Sequence, residues 1–170
     1  FRGGLLAGKR ILVTGGGSGL GAAMVRRFME LGAELFICGR RRDTLHSAAE
    51  SMAKDTGGKV TPVLCDIRVS AAVDEMMSTI WEVALSVLVN NAAGNFIAQT
   101  HQLSFGAADT ILATTLHGAL YCTLAAGRRW IENADKGVVL SILSTSTRTG
   151  RAFTVPSAMS KSAVLDRKST

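Results

Sequence analysis

The chain has 170 residues, 47% of them hydrophobic, which is the size of one domain with a sizeable core. It has no run of about 18 apolar residues, which speaks against a membrane-spanning helix, and the opening FRGGLLAGKR lacks the long apolar stretch of a signal peptide. The net charge of +6 is scattered apart from Arg40-Arg41-Arg42 and Arg167-Lys168, and only 5% of residues are aromatic, so a nucleic-acid partner is not expected. A phosphorylated cofactor and an anionic substrate account for that charge equally well.

Residues 10–13 are a short apolar run halted by glycines, which predicts a buried strand and a turn. Residues 20–31 follow as a helix, with Met24, Phe28 and Leu31 at helical spacing and Gly32 as the stop. Residues 34–38 predict a second strand, ending in the triple arginine. Asp43 suits the N-cap of a helix running to about Asp55, and Thr56-Gly57-Gly58 suits the loop after it. A third strand over 59–65 ends at Asp66, and a helix follows over 71–81. A fourth strand over 87–89 ends at Asn90-Asn91-Ala92-Ala93-Gly94. Residues 105–130 read as mostly helical and 137–143 as the fifth strand, and a last helix starts around 156–160. Strands that alternate with helices require right-handed crossovers and a parallel sheet covered on both faces. With no linker, repeat or low-complexity segment, residues 1–170 are expected to form a single α/β domain.

Between the first strand and first helix lies Thr14-Gly15-Gly16-Gly17-Ser18-Gly19-Leu20-Gly21. A backbone that bends sharply, approaches a pyrophosphate and lets a helix pack on a strand excludes Cβ atoms, and the helix N-terminus offers free N–H groups. The flanking strand and helix lift this above a lone glycine motif. The expectation is a Rossmann-type doubly wound parallel sheet, with Gly15, Gly17, Ser18, Gly19, Leu20 and Gly21 binding a dinucleotide; a glycine turn without ligand is the alternative. At the end of strand two an NAD enzyme needs an acid for the ribose hydroxyls. This chain has Gly39, Arg40 and Arg41 there, and guanidinium forks suit a 2′-phosphate, so NADP (NADPH) is the expected cofactor. A solvated basic turn is the competing reading. Cys38, Cys65 and Cys122 are widely spaced without a CxxC pair. They read as small buried hydrophobes in a reducing, cytoplasmic setting, and no metal site is expected.

Together these residues resemble the short-chain dehydrogenases/reductases. The family's TGxxxGxG motif matches Thr14, Gly15, Gly19 and Gly21, and its adenine-binding Asp after strand three matches Asp66, followed by Ile67. Its NNAG motif matches Asn90, Asn91, Ala92, Ala93 and Gly94, and its strand-five serine matches Ser144. Within the family the chain looks like the 2,4-dienoyl-coenzyme A reductases, on Cys65-Asp66-Ile67-Arg68, on NNAAGNFI from Asn90 to Ile97, and on Val155-Pro156-Ser157 leading to Lys161. The resemblance implies an NADPH-dependent reduction of an unsaturated acyl-CoA, in which Arg40 holds the 2′-phosphate and Lys161 the nicotinamide ribose. It implies catalytic roles for Ser144, Ser157 and Lys161, and substrate contacts at Arg68, Phe96, Ser104 and Ser146. It leaves room for a homo-oligomer.

The chain also departs from the family. The usual YxxxK pair, in which Lys lowers the phenol's pKa, reads Ser157-Ala158-Met159-Ser160-Lys161 here. Serine at that position is what dienoyl-CoA reductases carry; their donor Tyr stands eleven residues earlier, where this chain has Ser146. The single tyrosine, Tyr121, matches neither place. His117 stands where the family often puts a helix Asn; it reads as a polar substitute or as a satisfied buried histidine. His46 and His101 read as surface residues. Residues 81–86 lack the Gly-Pro turn expected before strand four, and Leu165-Asp166-Arg167-Lys168-Ser169-Thr170 does not continue the apolar pattern of the last helix. The family adds strands six and seven with a substrate lid, so the sheet is expected to lack its last strands. The competing expectation is a catalytically inactive or truncated dinucleotide-binding module.

Overall fold

The computed structural model describes residues 2–166. Its strands are β1 (Arg10–Thr14), β2 (Glu34–Gly39), β3 (Val60–Leu64), β4 (Val87–Asn90) and β5 (Val138–Ser141), all parallel, in the order β3-β2-β1-β4-β5. The helices are α1 (Gly19–Glu30), α2 (Arg42–Thr56), α3 (Ser70–Ile80), α4 (Phe105–Leu112), α5 (Gly118–Glu132), α6 (Ser146–Thr149) and α7 (Val155–Leu165). In register, Leu12 pairs with Phe36 on one side and Leu88 on the other. The expected α/β sheet is present, and each predicted strand lies within two residues of its observed bounds.

Side-chain alternation along each strand divides the core in two. Ile11, Val13, Leu35, Ile37 and Val89 join Val25 and Met29 of α1 and Leu45, Ala49 and Met52 of α2. Leu12, Phe36, Cys38 and Leu88 point the other way and join Val73, Met76, Met77 and Ile80 of α3 and Cys122, Ala126 and Trp130 of α5. Strands buried on both faces need continuous apolar runs, which is why β1 reads Ile-Leu-Val. Each fully buried side chain such as Leu12 or Met77 stabilises the fold by about 1.5–3 kcal/mol. Pro62 falls in β3, an edge strand, where a missing N–H is tolerated.

The structure revises several local expectations. Asp43 is not the N-cap of α2; Arg41 holds that place in extended conformation, without a side-chain cap. Asp43 lies in the first turn, where its charge still favours the helix dipole. Thr56 closes α2 rather than opening the loop, because its hydroxyl donates to the Met52 carbonyl at 2.8 Å. The long helix over 105–130 is interrupted by a π-helical stretch, Ala113–His117. It carries Thr115, 1% exposed, whose Oγ1 accepts from the Gly94 N–H at 3.2 Å. His117 is exposed and stacks on Tyr121 with ring centroids 6.1 Å apart, so it is not a buried histidine. The short helix α6 was not foreseen, and a 3-10 turn at Thr100–Gln102 precedes α4. Without the Gly-Pro turn, residues 81–86 are anchored by fully buried Leu85, whose carbonyl accepts from Trp130 Nε1 at 2.7 Å.

The three cysteines are buried free thiols. Burial pushes Cys65 up to about 11 and Cys122 up to about 12, and raises Cys38 well above the usual thiol range. His46 and His101 are exposed. Among the described residues no helix is long and apolar enough to cross a membrane, and no group of three His, Cys, Asp or Glu could hold a metal. The tail from Arg167 onward lies outside the described residues.

Candidate cofactor and active site

In an open parallel sheet, a crevice forms outside the carboxyl ends of the strands where the strand order reverses. Here the order reverses between β1 and β4, and a cleft of about 560 Å³ opens there. The expected residues Gly15, Gly17, Ser18, Leu20, Gly21, Arg40, Arg41, Asp66, Ile67, Asn91, Ala92 and Ala93 all line it. Each comes from the loop that leaves the end of β1, β2, β3 or β4, or, for Leu20 and Gly21, from the first turn of α1.

Thr14 ties the first of these loops to the last. Its Oγ1 accepts from the N–H groups of Asn91 and Ala92, both at 3.0 Å, and Asn91 Nδ2 donates to the Thr14 and Gly15 carbonyls at 2.9 and 3.3 Å. Neighbouring Asn90 turns away from the cleft, its Nδ2 donating to Thr123 Oγ1 at 2.9 Å. Gly21 has no room for a side chain: a Cβ there would run into the Gly15 carbonyl oxygen and come within 2.7 Å of Asn91 Nδ2. Gly19 does not line the cleft; it opens α1 at φ +52°, a left-handed conformation that glycine adopts without strain. Ser18, the N-cap of α1, makes no side-chain capping bond, which leaves the first-turn N–H groups for an anion. This bare helix end and the cleft's volume fit a dinucleotide, and the guanidinium pair adds positive charge to one wall.

Arg40 and Arg41 sit on the β2 wall of the cleft, with Thr44 from the first turn of α2 beside them. After the neighbouring strand β3, Asp66 is gripped by Arg68: Nε donates to Oδ1 and Oδ2 at 2.9 and 3.0 Å, and a terminal nitrogen to Oδ2 at 2.5 Å. These hydrogen bonds, opposed by desolvation and aided by the charges of Arg68 and Arg40, hold the Asp66 carboxyl below its ordinary range. Thr44 and Thr114, which also lines the cleft, were missed from sequence, since a lone threonine in the first turn of α2 or within the π-helical stretch carries no local signal.

Of the remaining candidates, Ser144, Ser146, Ser157 and Lys161 lie beyond β5. Ser144 is exposed, and its Oγ lies 3.0 Å from Oγ of buried Ser146 at the start of α6. Lys161 is 7% exposed on α7 and donates to the Ile142 carbonyl just past β5, and burial lowers its pKa. Ser157 stands one turn before Lys161 on α7 and is half-buried. Tyr121, on α5, is in neither donor position. Ser104 is the N-cap of α4, accepting from the Ala107 N–H at 3.2 Å, and Phe96 is exposed beyond the Asn90–Gly94 loop. Neither they nor Gly94 line the cleft.

Residues 9–167 match the family model described as short chain dehydrogenase. A Caenorhabditis elegans protein named "Probable 2,4-dienoyl-CoA reductase 3" is 41% identical over 167 residues, covering 96% of this chain and 54% of that protein. A Bacillus subtilis (strain 168) protein, also named a probable 2,4-dienoyl-CoA reductase, is 32% identical over 159 residues, covering 92% of this chain and 62% of that one. The chain spans about half the length of its curated Caenorhabditis elegans relatives. Among solved structures, a short chain dehydrogenase from Bacillus anthracis superposes with a TM-score of 0.88 at 33% identity, covering 92% of this chain and 66% of its own.

Proposed function

The chain belongs to the short-chain dehydrogenases, oxidoreductases that use nicotinamide dinucleotides, and from that premise we propose that it takes NADP(H) and reduces an unsaturated acyl-CoA of the 2,4-dienoyl type. The observation that carries the cofactor half is the Arg40–Arg41 pair on the cleft wall, where an NAD enzyme carries an acid. The names of the two reductase relatives support the substrate half.

In this reading Gly15, whose N–H is held by the Cys38 carbonyl, shapes the turn. The N–H groups of Gly17, Ser18, Gly19, Leu20 and Gly21 at the start of α1 hold the pyrophosphate, and Arg40 and Arg41 hold the 2′-phosphate. Asp66 and Ile67 flank the adenine, Asn91 to Gly94 line the path towards the nicotinamide, and Lys161 hydrogen-bonds its ribose. The cofactor, when bound, supplies a hydride. Ser144 and Ser157 donate hydrogen bonds to the thioester oxygen and so stabilise the charge that develops there. Arg68, Phe96, Ser104 and Ser146 contact the acyl-CoA. A serine hydroxyl is a weak acid, so the protein contributes less to proton delivery than a positioned phenol would. The free buried thiols suit a reducing, cytoplasmic setting.

Fluorescence titration with NADPH and NADH, followed by an absorbance assay with a 2,4-dienoyl-CoA, tests both halves. Preference for NADPH with turnover is the expected result. Equal affinities overturn the NADP assignment, and NADPH binding without turnover of any dienoyl thioester leaves only a dinucleotide-binding module.

A further inference from the structure

The cleft holds one anion among its cations, and its placement has a consequence for cofactor choice. Asp66 lines the same cleft as Arg40 and Arg41, and its carboxylate is close enough to Arg40 for that guanidinium's charge to help keep it ionised. An unneutralised carboxylate there would compete for Arg40 and repel a phosphate that carries up to two negative charges. Arg68 removes that competition. Its guanidinium spans both carboxylate oxygens, and its backbone N–H donates to Oδ1 at 3.1 Å. The two-residue spacing works because the chain turns here, with the Val69 N–H donating to the Asp66 carbonyl at 3.0 Å. Among the described residues, all hydrogen bonds of the Arg68 guanidinium go to Asp66.

We propose that Arg68 is a specificity-positioning residue: by clamping and neutralising Asp66, it frees Arg40 for a 2′-phosphate and sets the preference for a 2′-phosphorylated adenosine. The proposal rests on the NADP reading above. It gives Arg68 a task on the cofactor side of the cleft, separate from any contact with an acyl-CoA.

The test uses the 170-residue chain and two adenosine probes, so that nothing depends on nicotinamide or substrate. Calorimetric titration compares adenosine 2′,5′-bisphosphate with adenosine 5′-monophosphate. The parent should favour the bisphosphate by about tenfold or more. Arg68→Gln should cut that ratio by about fivefold, a modest loss because the pair is partly exposed, and Arg68→Lys by less. Adding Asp66→Asn to Arg68→Gln should restore the ratio, even though both probes then bind more weakly. High salt should narrow the difference between parent and Arg68→Gln. A parent without preference overturns the NADP reading and this role with it. A parent with the preference, joined to an Arg68→Gln variant that keeps it or loses both probes in equal proportion, overturns the role of Arg68 and leaves the NADP reading intact.

Discussion

The hydroxyl oxygens of Ser144 and Ser146 lie 3.0 Å apart, and the Ser146 N–H also donates to Ser144 Oγ at 3.3 Å. Position 146 is thereby aimed at the serine that the family resemblance makes catalytic. It is 9% exposed, at the start of a helix that packs on α7. A phenol at this position would point its hydroxyl towards the same reacting group.

Ser146→Tyr should therefore raise NADPH-dependent reduction of a 2,4-dienoyl-CoA by about 10²-fold, the lower end for a positioned general acid. The gain should be largest near neutral pH and fade as the phenol ionises near pH 10, at about its ordinary pKa. The rate of NADPH absorbance loss across pH reads it. A folded variant with no gain at any pH would show that position 146 does not reach the thioester.

Arg40→Asp should reverse cofactor preference, because it removes a phosphate partner and supplies an acid for the ribose hydroxyls of NADH. Fluorescence titration should show NADPH affinity falling about tenfold or more while NADH affinity rises. An unchanged ratio would mean that Arg40 is only a solvated basic residue.

Two glycines should fail for different reasons. In Gly21→Ala the new methyl meets the Gly15 carbonyl, so both thermal stability and dinucleotide binding should drop, by about 1–3 kcal/mol in stability. In Gly19→Val nothing lies within 4 Å of the added Cβ, yet φ is +52°, so the cost of about 1–2 kcal/mol comes from the backbone. Binding weakens there as the phosphate loop shifts. Normal melting in both variants would contradict this account of the loop.

The buried thiols should make the protein sensitive to alkali. Cys65 and Cys122 are raised from 9.0 to about 11 and about 12, chiefly by desolvation. Each folded value lies above the unfolded one, so this contribution is fully present below pH 9 and is lost as pH rises towards 11 and 12. Urea unfolding should show stability falling over that window, and Cys65→Ala should flatten the fall. A thiol reagent at pH 8 should modify the native protein only as fast as it opens. Immediate modification of all three cysteines would refute their burial.

The sequence by itself determined the alternation of strands and helices: apolar runs ending in glycine, arginine, asparagine or acidic loops, spaced for right-handed crossovers. Those loops are local, so the lining of the cleft was legible at Gly15, Gly17, Ser18, Leu20, Gly21, Arg40, Asp66 and Asn91, whereas Gly19 falls outside it. Only the tertiary structure decided what depends on distant partners. The π-helical stretch Ala113–His117 places Thr115 against Gly94, a contact 21 residues apart that no local periodicity encodes. Lys161 was legible by its motif, but its tie to Ile142 needs α7 folded back beside β5. Asp66 and Arg68 are nearly adjacent in sequence, yet their pairing requires the turn after β3, and its effect requires Arg40 from the end of β2. Backbone chemistry is written within a few residues and can be read there. Electrostatic neighbours are set by which strands the sheet brings side by side, and that is settled only when the whole core closes.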